Sequence, residues 1–519
     1  MIPERAGRRE WIGLAVIALP CLLYSMDLSV LNLAVPELSA DLRPSGTELL
    51  WIVDIYGFFV AGALITMGTL GDRIGRRKLL MIGAAAFGAA SVLAAFSTSA
   101  GMLIVARALL GLAGATLAPS TMSLIFTMFR DPQQRTVAIG VWIASYSAGA
   151  AVGPLLGGVM LEFFWWGSVF LLGVPVMVLL LLVGPRLLPE SRDEDAGRLD
   201  LPSAALSLAA VLLVVYGLKT AAQDGFAGEA MAAIALGAVV ALVFVRRQLR
   251  LPNPLIDLDL FRRRAFSASL LTNMLGFFAA FGAFFFVAQY LQIVAGLSPL
   301  EAGLWSLPSS AGFVVGAMLG PVLLKRIRPG HLMALGLALG AAGFGVLTQT
   351  DGLAVLIAGS VLFSLGLAPV AAVGTDLIVG SAPPEQAGAA SGISETAAEF
   401  NGALGIALFG SLGVALYRRS MADAIPAGVP AETADAARDT LGGALAAAAQ
   451  LPADVGTQLM AAASDAFVQG LQLSAAISTV GVIALAIFIA VTLRHVEPSG
   501  QAQSDDETVS EVAEAQPVA

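Results

Sequence analysis

The chain has 519 residues, of which 57% are hydrophobic and only 13% charged, a balance that excludes an ordinary soluble class and points to a membrane protein. A net charge of −9 excludes a nucleic-acid binder. With one cysteine, Cys21, and two histidines, His331 and His495, the chain has neither an intrachain disulfide nor a histidine zinc site in prospect.

Apolar runs of ~20 residues predict spans over 11–34, 49–71, 79–98, 101–128, 137–160, 168–188, 201–221, 230–247, 266–292, 301–324, 331–349, 353–380, 387–416 and 471–493. The first run is too long for a signal-peptide core and lacks a small-residue cleavage site, so it is expected to stay as a span. An even count puts both termini on one side. Of the 28 Lys and Arg residues, 22 fall on that side and five (Arg43, Lys219, Arg418, Arg419 and Arg438) on the other, with Arg107 inside a span. The positive-inside rule makes the first side cytoplasmic.

The expected architecture is an all-α polytopic membrane protein built from two six-helix bundles with two extra transmembrane helices between them. Residues 1–10 form a cytoplasmic N-terminus, 11–190 the first bundle, 201–247 the added pair, and 266–416 with 471–493 the second bundle. Residues 417–470 are expected as an extracellular loop between the thirteenth and fourteenth spans, with a short amphipathic hairpin from 441–451 and 455–460. Residues 494–519 form a disordered acidic cytoplasmic tail. Two six-helix halves around a midplane site are a known transporter plan.

Several motifs punctuate the spans. The loop after the second reads Gly68-Thr-Leu-Gly-Asp72-Arg73-Ile-Gly75-Arg76-Arg77-Lys78. Its glycines permit a tight turn, and Asp72 can accept from arginines or from a nearby helix N-terminus. Arg107 opens Arg107-Ala-Leu-Leu-Gly111-Leu-Ala-Gly114 in the fourth span. It either needs a partner at that depth or snorkels from the helix end. In the fifth span Gly149, Gly153 and Gly157 line one face for close helix approach, and Pro154 bends the helix.

The intramembrane carboxylates are the functional candidates. Asp27 lies ~10 Å inside the far end of the first span, with Asp54 at similar depth in the second, so the two are expected to face one cavity. A carboxylate there can hold a proton or, once ionised, pair with a cation; the alternatives are an interhelical hydrogen-bonding group for Asp27 and a helix-start carboxylate for Asp54. Glu395 and Glu399 share one helix face near mid-membrane and are not expected to ionise together. Asp376 is either an inner-gate partner or a solvated helix-end acid. Tyr56, Trp142, Tyr146, Met274, Phe277, Phe281, Phe285 and Trp305 are candidates to line a pocket through cation–π and thioether contacts.

The Gly68–Lys78 loop resembles the loop signature of the major facilitator superfamily, and the Gly149–Gly158 segment resembles its antiporter motif. Met26-Asp27-Leu-Ser-Val-Leu-Asn-Leu-Ala-Val-Pro36, Leu50-Trp51-Ile-Val-Asp54-Ile-Tyr56 and Ala387-Gly-Ala-Ala-Ser-Gly-Ile-Ser394-Glu395-Thr-Ala-Ala-Glu399 resemble the fourteen-helix drug:proton antiporter family of multidrug exporters. The resemblance covers residues 10 to 495. It implies proton coupling or substrate recognition at Asp27 and Asp54, and gating roles for Asp72, Arg73, Gly75, Arg76 and Arg107. Two departures concern the charge of the substrate: Ser394 stands where the family carries an acid adjacent to Glu395, and Phe313 stands near an acid of the tenth span.

The resulting expectation is a proton-coupled exporter of amphipathic cations in a bacterial cytoplasmic membrane, with protons as coupling ion, no cofactor, no metal and no obligatory protein partner. No phosphate-loop motif is present for ATP hydrolysis, nor a nucleophile–base pair for an enzyme. The 25 arginines against three lysines fit a GC-rich bacterial source. A dedicated exporter of an endogenous metabolite, and a membrane sensor or scaffold without transport, are the alternatives.

Overall fold

A computed structural model describes residues 5–44, 46–192, 200–224, 228–251, 254–383, 386–422, 424–426 and 429–496. Residues 497–519, which hold most of the expected acidic tail, lie outside the described residues.

Every described regular element is helical. The first half comprises α1 (Arg8–Leu42), α2 (Gly46–Ile74), α3 (Arg76–Ala95), α4 (Ala100–Gly114), α5 (Leu117–Met128), α6 (Pro132–Phe163), α7 (Ser168–Leu171) and α8 (Gly173–Leu187). A pair follows, α9 (Leu201–Asp224) and α10 (Gly228–Gln248). The second half comprises α11 (Arg264–Gln289), α12 (Pro299–Leu324), α13 (Pro329–Leu347), α14 (Leu353–Gly380), α15 (Ala387–Ala422), α16 (Ala431–Asp439), α17 (Leu441–Ala448) and α18 (Ala453–Thr492). Among the described residues, 13 helical segments are long and apolar enough to cross a membrane. With 32 residues, or ~48 Å of rise, α6 is long enough to be the fourteenth.

Helix starts follow the expected chemistry. Asp131 caps α6 by accepting from the Gln133 amide, with Pro132 at the first position. Ser298 and Glu301 form a reciprocal capping box ahead of α12. Between α2 and α3 the chain turns at Gly75, whose φ of 110° suits glycine.

Among the differences from the sequence expectation, α1 runs on to Leu42 and α15 to Ala422, and three others have a local cause. The predicted span 101–128 is two helices, because Pro119 removes a backbone donor and crowds the carbonyl of Ala115, while Thr116 bonds back to Ala113 at 2.7 Å. The span 168–188 is interrupted at Leu172, where Pro175 acts in the same way on Leu171. The final helix starts at Ala453, not near residue 471, which absorbs the predicted 455–460 arm of the loop hairpin. Leu459, Ala463, Ala466 and Phe467 recur at helical spacing and are buried in the second core. That alanine-rich segment therefore continues the helix, although its polar residues lowered the hydropathy on which the span was assigned.

Two main cores underlie the halves: one is drawn mostly from α1–α8 but takes in Ala317 of α12, Ala368, Ala371, Ala372 and Val379 of α14 and Ala387 of α15, and the other is drawn from α11–α18. Helices α9 and α10 pack against each other, and α9 also packs on α2 and α15. The outward faces of α10 and α18, with Val239, Leu242, Ile483 and Ile487 exposed, are apolar as lipid contact demands. A connector after α10 is tied down by Gln248, whose side chain accepts from the Leu255 amide at 2.7 Å and donates to Ser203 at 2.8 Å. Beside it, bonds from Arg247 and Ser203 hold the Asp200 carboxyl below its ordinary range.

The arginine-rich loops gather at one end, here called the basic end: Arg9 donates to the Arg186 carbonyl at 2.6 Å, and Arg328 to that of Arg494 at 3.0 Å. The glycine face of α6 lies on α1. A Cβ at Gly149 would collide with the Leu22 carbonyl, and one at Gly157 with Val30, while Gly153 is buried between them. Gly149→Leu is expected to force these helices apart and destabilise the purified protein by ~2 kcal/mol, read as a lowered melting temperature in detergent; an unchanged melting temperature would show that the close approach is dispensable.

Candidate functional site

A cavity of about 750 Å³ lies between the halves. Its acidic wall is α15, where Glu395 and Glu399 both line it. Tyr24 of α1 donates its hydroxyl to Glu399 Oε1 at 2.6 Å, so this acid is bonded across the two halves. Tyr146 meets Tyr24 with ring centroids 5.6 Å apart and Trp142 at 4.8 Å, and Trp142 Nε1 donates to Thr121 at 2.9 Å. The facing wall is aromatic: Met274, Phe277, Phe281 and Phe284 from α11, Trp305 and Phe313 from α12. A hydroxyl row completes it, with Ser309 and Ser364 bonded at 2.7 Å. Aromatic faces with a central acid pair suit a bulky apolar cation.

The other predicted acids are elsewhere. Asp27 and Asp54 pair with different cations, and neither lines this cavity. Asp27 ion-pairs with Arg107 inside the first bundle, bordering a separate cleft with room for about one water. The buried Arg107 also donates Nε to the Ile52 carbonyl at 3.1 Å and stands 4.7 Å from the Tyr56 ring centroid. Its head is held within the bundle, which removes the snorkelling alternative. Asp54 ion-pairs with Lys219 of α9. Each carboxylate took the cation within reach, because an unpaired charge at such depth costs several kcal/mol, about 3 on insertion scales.

Two of the predicted pocket residues also lie outside the cavity lining. Tyr56 is fully buried beneath Arg107. Phe285 packs toward Gly410 of α15. Trp142, Tyr146, Met274, Phe277, Phe281 and Trp305 do line it. The sequence reading missed Tyr24, Phe284 and the hydroxyls. Ser306, Ser309, Ser310 and Phe313 recur at the spacing of one helix face, a signal that was available.

Asp72 joins the halves at the basic end. It accepts from Arg76 Nε at 3.0 Å, from the Gly388 amide at 3.1 Å and from the Ala389 amide at 3.0 Å, at the start of α15. A Cβ on Gly388 would strike both Asp72 and the Gly68 carbonyl, so the contact needs glycine there. Arg73 lies beside Asp72 in the last turn of α2. Asp376, at the basic end of α14, accepts from Arg135 Nε at 2.8 Å and Thr136 Oγ1 at 2.9 Å, both on α6. It is an ion-pair partner across the halves and not merely a solvated helix end. Both sets of contacts join the two halves at the basic end.

Residues 17–406 match the Major Facilitator Superfamily. The chain is 44% identical over 494 residues to the multidrug efflux pump LfrA of Mycolicibacterium smegmatis, covering 95% of this chain and 98% of that one. It is 37% identical over 470 residues to the methyl viologen resistance protein SmvA of Salmonella typhimurium, covering 89% and 93%. Among solved structures, the human organic anion transporter MFSD10 superposes with a TM-score of 0.57 at 14% identity, covering 91% of this chain and 99% of that one, which is a likeness of fold.

If the Asp376 contacts hold the basic end shut, Asp376→Asn will open it. In a Cys21→Ser background, Ser364→Cys should then react with a membrane-impermeant thiol reagent from the basic side about tenfold faster, the equivalent of ~1.4 kcal/mol. Equal labelling with and without Asp376→Asn would mean that the contact does not gate.

Proposed function

The chain belongs to the Major Facilitator Superfamily, and on that premise we propose that it is a proton-coupled multidrug efflux antiporter for amphipathic cations. It is a multi-pass membrane transporter rather than an enzyme. The observation that carries the reading is the Glu395–Glu399 pair set in an aromatic cavity, with Glu399 bonded through Tyr24 to the opposite half. The similarity to LfrA, named as a multidrug efflux pump, supports it over 95% of the chain.

An ionised Glu399 attracts an apolar cation, and the rings hold it without demanding one shape. A proton arriving at the acid pair removes that attraction and releases the cation. With both sets of contacts made at the basic end, release is toward the opposite end. Rocking of the halves then separates Tyr24 on α1 from Glu399 on α15, breaks those contacts, and presents the protonated acid to the basic side. Proton loss there restores affinity. A proton exchanged for a monovalent cation moves no net charge, so the pH difference drives that exchange at ~1.4 kcal/mol per unit, and each further proton adds ~2.3 kcal/mol per 100 mV.

The basic end is cytoplasmic in this reading, because 22 of 28 Lys and Arg residues lie in its loops or termini. The membrane is then a bacterial plasma membrane with both termini inside. Within this scheme Asp27 supports the cycle through Arg107 and does not touch the substrate.

Cells producing the protein are expected to extrude ethidium or a quaternary ammonium dye, and an uncoupler is expected to stop them. Glu399→Gln should lower the extrusion rate by about tenfold or more, on the scale of one lost charge-assisted contact. Extrusion that survives collapse of the proton gradient, or full activity in the Glu399→Gln protein, would refute this mechanism.

A further inference from the structure

Helix α9 touches both halves, packing on α2 and on α15. It carries Lys219, whose ammonium ion-pairs with Asp54 and lies 4.8 Å from the Phe58 ring centroid. A carboxylate and an aromatic face are the groups that would hold a lipophilic ammonium ion. This seat therefore contains a tethered cation of the chain's own.

The seat adjoins the acidic wall. Phe58, Val211 and Val215 pack with Phe400, the residue that follows Glu399 on α15. Higher on the same helix, Ser411 Oγ donates to the Ala221 carbonyl at 3.3 Å, two residues past Lys219 on α9. The Lys219 side chain is 35% exposed and that of Asp54 23%, so the pair is not sealed in a dry core. On the facing wall the cavity presents Phe277, Phe313 and serine hydroxyls, which offer a second positive centre no counter-charge.

We propose that Lys219 is a specificity-determining residue that sets the charge of the transported cation. This rests on the cation-export reading and deepens it. The ammonium offsets the negative charge of Asp54 where α2 and α9 pack on α15, the helix that carries Glu395 and Glu399. The acidic wall is thereby left matched to one positive centre. Without Lys219, an uncompensated Asp54 joins the acid pair and a second positive centre gains a counter-charge. Lys219 thus favours monovalent lipophilic cations over dications.

The test measures transport in inside-out vesicles of two probes of similar bulk, a mono-quaternary and a bis-quaternary ammonium ion. Lys219→Met should raise the dication-to-monocation ratio by roughly tenfold, the effect of one unit charge across a helix spacing of ~10 Å at an effective dielectric near 20. Lys219→Arg keeps the charge and should keep the wild-type ratio. Lys219→Met with Asp54→Asn removes both charges and should return the ratio toward wild type. Size-exclusion profiles confirm that each variant is folded. An unchanged ratio in folded Lys219→Met, the same shift in Lys219→Arg, or no reversal in the double variant would each overturn the proposal. A wild-type protein that moves neither probe would instead overturn the cation-export reading.

Discussion

A charge inside an apolar bundle must find a counter-charge or a hydrogen-bond donor set, and this constraint arranges the acids of the whole molecule. Asp27 meets Arg107, Asp54 meets Lys219, Asp376 meets Arg135, and Asp72 meets Arg76 with two backbone amides. Among the described residues lining the cavity, Glu395 and Glu399 are the acids, and Glu399 accepts from a tyrosine hydroxyl. The cavity owes its chemistry to those two acids.

The pairings divide by what they join. The Asp27–Arg107 pair links α1 and α4, and so stiffens one half from within. The Asp72 and Asp376 contacts cross between the halves. Interactions inside a half persist through a rigid-body motion, whereas those between halves must break, which suits them to a switch. The glycine face of α6 on α1 belongs with the first kind, because Gly149 and Gly157 bring the two backbones together inside one half.

The pair α9–α10 is more than a spacer. Its first helix supplies Lys219 to α2 and bonds to α15, so an element outside both bundles touches the helix that carries Glu395 and Glu399. Its second helix turns an apolar face outward. The connector that follows crosses the basic end, where Leu255, Ile256 and Leu260 pack with Ile65 of α2 and Ile393 of α15.

Much was legible in the sequence because a bilayer reads composition directly. Hydropathy gave the helices, their order and a common basic side, since each span must be apolar along its length and each arginine-rich loop must stay in water. Helix periodicity placed Glu395 and Glu399 on one face, and glycine spacing marked the α6 contact. Hydropathy misjudged the start of α18 and the breaks at Thr116 and Leu172, which depend on local burial and on proline chemistry. It was equally silent on partners: nothing in linear order assigns Asp27 to Arg107, 80 positions away, or Asp54 to Lys219, 165 away. Depth along a helix can be counted from the sequence, but azimuth relative to a neighbouring helix is set by packing. The sequence by itself determined which residues carry charge and how deep they lie; only the tertiary structure decided which of those charges neutralise one another and which two acids remain to face the cavity.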